Sequence, residues 1–133
     1  MSYFIFIDGA SRGNPGSSGA GIVIYYNDEL LEKISKYLGK ITNNQAEYNS
    51  LLLALKYLKD NGIKKANIYS DSSLLVNQLE GKFKVKSSKI KPLYDEAITY
   101  LDSLEISFFW IPREKNKIAD HLANLAIDEK STL

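Results

Sequence analysis

Tyr3-Phe4-Ile5-Phe6-Ile7-Asp8-Gly9 opens the chain with five apolar residues in succession and then an acid. An unbroken apolar run of this length, bounded by a turn signal, predicts a strand over residues 3–8 buried on both faces. Asp8 stands at the carboxyl end of that strand. Sites in α/β sheets gather outside the carboxyl ends of strands, although Asp-Gly is also ordinary turn chemistry. A carboxylate beside a core is costly unless something cationic meets it. The glycine- and serine-rich stretch that follows, residues 9–19, reads as a loop.

Working outward, residues 20–26 form a second strand, and Asn27-Asp28 turns the chain into a third over residues 29–38, whose mixed faces suit a sheet edge. Thr42-Asn43-Asn44-Gln45 matches a capping box and starts a helix that Asn61-Gly62 ends. A strand at 65–70 leads into a helix from about Asp71 to Glu80, stopped by Gly81. A lysine-rich segment spans 82–91. Pro92 opens a helix over 92–103, a last strand covers 105–111, and a final helix covers roughly 116–129. Three strands joined by short turns, then helices alternating with strands, predict one mixed sheet with helices on its faces.

The chain's 133 residues make one domain over 1–133 the expectation. No apolar run is long enough to cross a bilayer, and no export signal precedes the first strand. The absence of cysteine excludes disulfides, thiolate metal sites and cysteine nucleophiles, and fits a cytoplasmic setting. A single histidine excludes a multi-histidine metal site. Any metal is therefore held by oxygen, which favours magnesium or manganese over zinc. The net charge is only +1, so a nucleic-acid partner has to be argued from a local patch.

Four acids draw the functional reading together. Glu47 lies on the helix stripe made by Leu51, Ala54, Leu55 and Leu58, where a residue that merely complemented the helix dipole would not need to be. Asp71 follows the strand Ala66-Asn67-Ile68-Tyr69-Ser70 and is also a favoured helix cap. Asp120 lies near the margin of the stripe Ile118, Leu122 and Leu125, where a solvated position is the plain reading. If the strands carrying Asp8 and Asp71 are neighbours, the carboxylates converge. Four converging carboxylates bind divalent metal, and such metal suggests phosphoryl chemistry.

The segments Phe6–Gly16, Thr42-Asn43-Asn44-Gln45-Ala46-Glu47-Tyr48, Tyr69-Ser70-Asp71-Ser72 and Ala119-Asp120-His121-Leu122-Ala123 together resemble the type I ribonuclease H (ribonuclease HI) family. The resemblance runs in order over nearly the whole chain. It implies an α/β fold, ribonuclease H-like, with a five-stranded mixed sheet (three antiparallel strands, then two parallel) flanked by helices. It implies endonucleolytic hydrolysis of the RNA strand of RNA–DNA hybrids, leaving 5′-phosphate and 3′-hydroxyl ends. Two magnesium (or manganese) ions would be held by Asp8, Glu47, Asp71 and Asp120. Asp8 would bridge both, Glu47 and Asp71 would hold one, and Asp120 would help hold the other. Asn14, Asn44 and Gln45 resemble positions that touch the minor groove and 2′-hydroxyls, and Thr42 a pocket for a DNA-strand phosphate. The expected enzyme is a monomer that uses no organic cofactor and no membrane.

Three features depart from the family pattern. The loop Pro112-Arg113-Glu114-Lys115-Asn116-Lys117 is short and lacks the usual histidine, while His121 points about 100° away from Asp120. Arg113 is the expected electrostatic substitute, through contact with a phosphate. Ser73 stands where a glutamine is usual. In place of a long basic protrusion, Lys82, Lys84 and Lys86 alternate with Phe83 and Val85, which suggests a phosphate-binding ridge, or equally a solvated edge with an apolar underside. With no hybrid-binding domain before Met1, processive and tight binding are not expected. A DNA-directed nuclease or transposase-like enzyme on the same fold is the main alternative. A non-catalytic hybrid-binding module would gain nothing from crowded anions. The glycines of Gly16–Gly21 have the wrong spacing for a dinucleotide loop.

Overall fold

The computed structural model describes residues 2–131. Among them the chain runs β1 (Tyr3–Gly13), β2 (Gly16–Tyr26), β3 (Glu29–Ile41), α1 (Asn43–Asp60), β4 (Lys65–Ser70), α2 (Ser73–Leu79), α3 (Lys91–Leu101), β5 (Glu105–Trp110) and α4 (Lys117–Ser131), with a 3-10 turn at Arg113–Lys115. The strands form one sheet in the order β3-β2-β1-β4-β5. β1, β2 and β3 pair antiparallel, and β4 and β5 add parallel to β1. This is the mixed sheet the sequence predicts. The parallel register sets Ile7 opposite Ser70, so the next residues, Asp8 and Asp71, lie side by side. That register supplies the strand order the sequence leaves open.

Helices cover the sheet unequally. Ile5, Ile7, Ile22, Ile24 and Ile68 pack with Tyr48, Leu51, Leu55 and Leu58 of α1 in the main core. On the opposite face Val23 packs with Ala119 and Leu122 of α4. Because α4 lies over β1, β2 and β3, β4 and β5 are left largely open on that side. β1 is therefore not buried evenly, as its apolar run predicts. Ile5 and Ile7 are fully buried, whereas Phe4 and Phe6 are half-buried. Ring stacking compensates: Phe6, Tyr69 and Phe109 follow one another across β1, β4 and β5 at centroid distances of 4.8 and 5.1 Å.

The expected loop at 9–19 is a continuous hairpin instead, paired to its tip at Asn14-Pro15. Gly13 and Gly16 flank the turn, Gly13 with a φ of +128°, while Gly9 and Gly19 serve close packing against the helices, as does Gly21 just beyond. A Cβ on Gly21 would lie 2.7 Å from the Ala123 backbone nitrogen of α4, and one on Gly9 would run into the Ala46–Glu47 backbone of α1. Both helices rest directly on the hairpin because these side chains are missing.

Helix ends follow the sequence closely, with one exception. Thr42 caps α1 through the predicted box: its Oγ1 accepts from the Gln45 N–H at 3.2 Å, and Gln45 Oε1 accepts from the Thr42 N–H at 2.9 Å. α2 starts at Ser73 rather than Asp71, because Ser72 supplies the cap, its Oγ accepting from the Leu75 N–H at 3.2 Å. Asp71 is thereby left free of capping. The lysine-rich segment does not alternate as a strand would. Phe83 is 50% exposed, and Val85 packs against the core.

Candidate active site

Asp8, Glu47 and Asp71 bring one carboxylate oxygen each within 4.8 Å of one another. Asp8 lies in β1 just past the last residue that pairs with β4. Glu47 reaches it from near the start of α1, which approaches closely over the bare Cα of Gly9. The Gly9 N–H donates to Glu47 Oε1 at 2.5 Å and fixes that carboxylate. Asp71 Oδ2 accepts from Asn116 Nδ2 at 3.0 Å.

Asp120 comes from α4, is half-buried rather than solvated, and lies close enough to Asp8 to help raise its pKa. Its Oδ1 accepts from Asn124 Nδ2 at 3.2 Å. Asn124 Oδ1 in turn accepts from Arg12 Nη2 at 3.4 Å, and Arg12 pairs with Asp128 at 2.6 Å, which ties the hairpin to α4. The structure thus gathers Asp8, Glu47 and Asp71 in one trio and sets Asp120 near enough to act on Asp8 and Glu47.

Crowding shows in the acidity of the group. Burial pushes the Asp8 carboxyl up to about 9, reinforced by Glu47, Asp71 and Asp120. Burial likewise raises Glu47 to about 8, with Asp71 and Asp120 adding to it and the Gly9 N–H and Arg113 opposing it. Buried oxygens that repel one another this strongly favour a cation among them beyond what Arg113 supplies. An all-oxygen donor set of this kind fits a hard divalent cation such as magnesium or manganese, and among the described residues no softer ligand joins the group.

The expected substrate contacts gather around the start of α1. Asn14 Oδ1, at the hairpin tip, accepts from the Asn43 N–H at 3.1 Å. Gln45 spends its amide oxygen on the capping box and keeps its amide nitrogen, while Asn44 is exposed on the first turn. Thr42 caps. Arg113, in the 3-10 turn, is close enough to act on Glu47. His121 is exposed. Sequence reasoning missed Asn116 and Asn124. They stand four residues before and four after Asp120, a helical spacing that could have singled them out.

A family model described as "Reverse transcriptase-like" matches residues 6–126. Bifunctional protein Rv2228c of Mycobacterium tuberculosis is 38% identical across 96% of this chain and 36% of its own length. Ribonuclease HI of Halobacterium salinarum is 35% identical across 93% of this chain and 63% of its own. The chain thus spans from about a third to under two thirds of these curated relatives. Among solved structures, LC11-RNase H1 in complex with RNA/DNA hybrid superposes with a TM-score of 0.92 at 37% identity, covering 97% of this chain and 99% of that one. Sheet order, helix placement and acid cluster together define a ribonuclease H-like α/β protein. The chain belongs to the ribonuclease H family.

Proposed function

We propose that this chain, as a single catalytic domain, is a metal-dependent endoribonuclease that hydrolyses the RNA strand of RNA–DNA hybrids and leaves 5′-phosphate and 3′-hydroxyl ends. The observation that carries this reading is the trio of Asp8, Glu47 and Asp71, whose carboxylate oxygens lie within 4.8 Å of one another, with Asp120 nearby. An all-oxygen cluster of this kind would suit a pair of divalent cations. Asp8 would bridge them, Glu47 and Asp71 would hold one, and Asp120 would help hold the other. A bound pair of magnesium or manganese ions supplies an activated water and charge neutralisation at the leaving oxygen. A relative named ribonuclease HI and the hybrid complex of LC11-RNase H1 support the substrate class.

The remaining roles belong to the chain's own residues. Gly9, Asn116 and Asn124 hold three of the carboxylates in place by hydrogen bonds, so little reorganisation is needed on loading. Arg113 draws a phosphate toward Glu47 and Asp71. Asn14, Asn44 and Gln45 offer amides to 2′-hydroxyls in the minor groove, which separates RNA from DNA. Thr42 contributes to a pocket for a DNA-strand phosphate. The proposed enzyme is a monomer that uses no organic cofactor and works in the cytoplasm. No helix among the described residues is long and apolar enough to cross a membrane.

Asp8→Asn and Glu47→Gln test the assignment. Each is expected to abolish magnesium-dependent cleavage of hybrid while preserving the far-ultraviolet circular dichroism spectrum. Retention of most activity by either variant would reject the metal assignment.

A further inference from the structure

Asn116 looks in the sequence like a loop residue between the last strand and the last helix, where an amide is usually solvated. It is instead 2% exposed. Its Nδ2 donates twice, to the Ile7 carbonyl at 2.8 Å and to Asp71 Oδ2 at 3.0 Å. Both partners are acceptors, so the nitrogen has to face them and the amide cannot be turned over. That orientation leaves Oδ1 buried without a hydrogen-bond partner among the described residues.

The orphaned oxygen rules out the simplest alternative. An asparagine kept to cap a helix uses its side-chain oxygen to accept from backbone N–H groups of the first turn. Here that oxygen accepts from none, and only the Asn116 backbone carbonyl serves α4, accepting from the Asp120 N–H at 3.1 Å. A buried orphan acceptor costs free energy that an apolar side chain would avoid. The compensation lies at the other end of the amide. The Ile7 carbonyl belongs to the peptide unit that leads into Asp8. One residue therefore touches the backbone before Asp8, the carboxylate of Asp71 and the backbone amide of Asp120.

We propose that Asn116 is a positioning residue for the acidic cluster, its amide nitrogen tying the Asp71 carboxylate to the end of β1 and so fixing the spacing of the metal-holding oxygens. Its chemistry suits the task. A neutral amide restrains one oxygen of Asp71 and leaves the other free, whereas a lysine or arginine would neutralise the carboxylate and compete with a cation. Outer partners that orient a metal-holding carboxylate in this way affect metal affinity about 10- to 100-fold. The inference rests on the proposed metal-dependent activity, but the two fail separately.

The test is a magnesium titration of the intact chain, wild type against Asn116→Ala, read by melting temperature and by hybrid cleavage. The melting temperature in chelator reports any loss of structure alone. The expected result is a half-saturating magnesium concentration raised about 10- to 100-fold, with KM for hybrid within twofold and kcat recovering at high magnesium. A variant that melts lower in chelator yet saturates at the wild-type magnesium concentration would overturn the proposal. So would a variant unchanged in every reading. Should Asn116→Ala be unfolded at the assay temperature, Asn116→Ser, whose hydroxyl preserves a donor beside the Ile7 carbonyl, carries the same comparison. A wild-type chain that is stabilised by magnesium but leaves hybrid uncut would defeat the proposed activity, and the melting titration would still decide the role of Asn116.

Discussion

Gly21→Ala probes how the fold delivers Asp120 to the site. Gly21 lies in β2 directly beneath α4. An added Cβ would collide with the Ala119 carbonyl and stand 2.7 Å from the Ala123 nitrogen and 2.9 Å from Leu122 Cβ. The obstruction is mostly backbone and cannot swing aside as a side chain could. Going from 2.7 Å to the 3.4 Å of an ordinary contact requires α4 to retreat by about 0.7 Å, and the nearer carbonyl demands more. Ala119 immediately precedes Asp120, so the retreat moves the fourth carboxylate away from Asp8. A displacement of about 1 Å at a reacting site costs on the order of 100-fold in rate. Gly21→Ala is therefore expected to lose at least about tenfold in hybrid cleavage. The overpacking itself costs about 1–3 kcal/mol of stability. Gly62→Ala is the comparison. Its φ of +67° makes alanine unfavourable, but its Cβ would meet nothing within 4 Å, and it lies at the end of α1 away from the acids. It should lose stability and keep its rate. Initial rates on hybrid at saturating magnesium, with melting followed by circular dichroism, separate the two effects. A Gly21→Ala variant that cleaves at the wild-type rate would refute the claim that close docking of α4 sets the position of Asp120.

Arg113→Ala is expected to slow turnover or weaken hybrid binding without eliminating cleavage; equal rates in single- and multiple-turnover assays would remove Arg113 from the site. In the metal-free chain, the carboxyls of Asp8 and Glu47 keep their protons well above the values of 3.8 and 4.5 at which they would ordinarily release them. The folded state then binds more protons than the unfolded one from about pH 4 up to about pH 9, so stability falls as pH rises through that window. Magnesium should offset the loss, raising the melting temperature more at pH 8 than at pH 5. Melting in chelator across this range checks the sign, and a melting temperature that climbs steadily from pH 5 to 9 would contradict the weakened acidities of Asp8 and Glu47.

Much of this architecture was legible because it rests on local chemistry. The apolar run into Asp8, the capping box at Thr42 and Gln45, and the stripe under Glu47 are written in local sequence, and the structure reproduces each element, although β1 is fully buried on one face only. The hairpin misled because glycine and serine carry two messages. Residues 9–19 look like a loop by composition, but their small size is imposed by α1 and α4 lying directly on β1 and β2, which is a long-range fact. The same reasoning applies to Asp71 and Ser72. Either can cap a helix, and only the register of β4 beside β1 shows why the serine caps and the aspartate is spared. Asp120 seemed marginal on its own helix because its partner, Asp8, is more than a hundred residues away in the chain. The spacing of Asn116 from Asp120 hints at it, but its role is long-range for the same reason: its two acceptors are Ile7 in β1 and Asp71 just past β4.

Digestion of strand-labelled RNA–DNA hybrid, duplex RNA and duplex DNA, each with magnesium and with chelator, tests the central claim most directly. The account predicts internal cuts in the RNA strand of the hybrid alone, with 5′-phosphate and 3′-hydroxyl ends, and none once the metal is removed. Cleavage that survives chelation, or that falls on DNA while the hybrid's RNA stays whole, would contradict it.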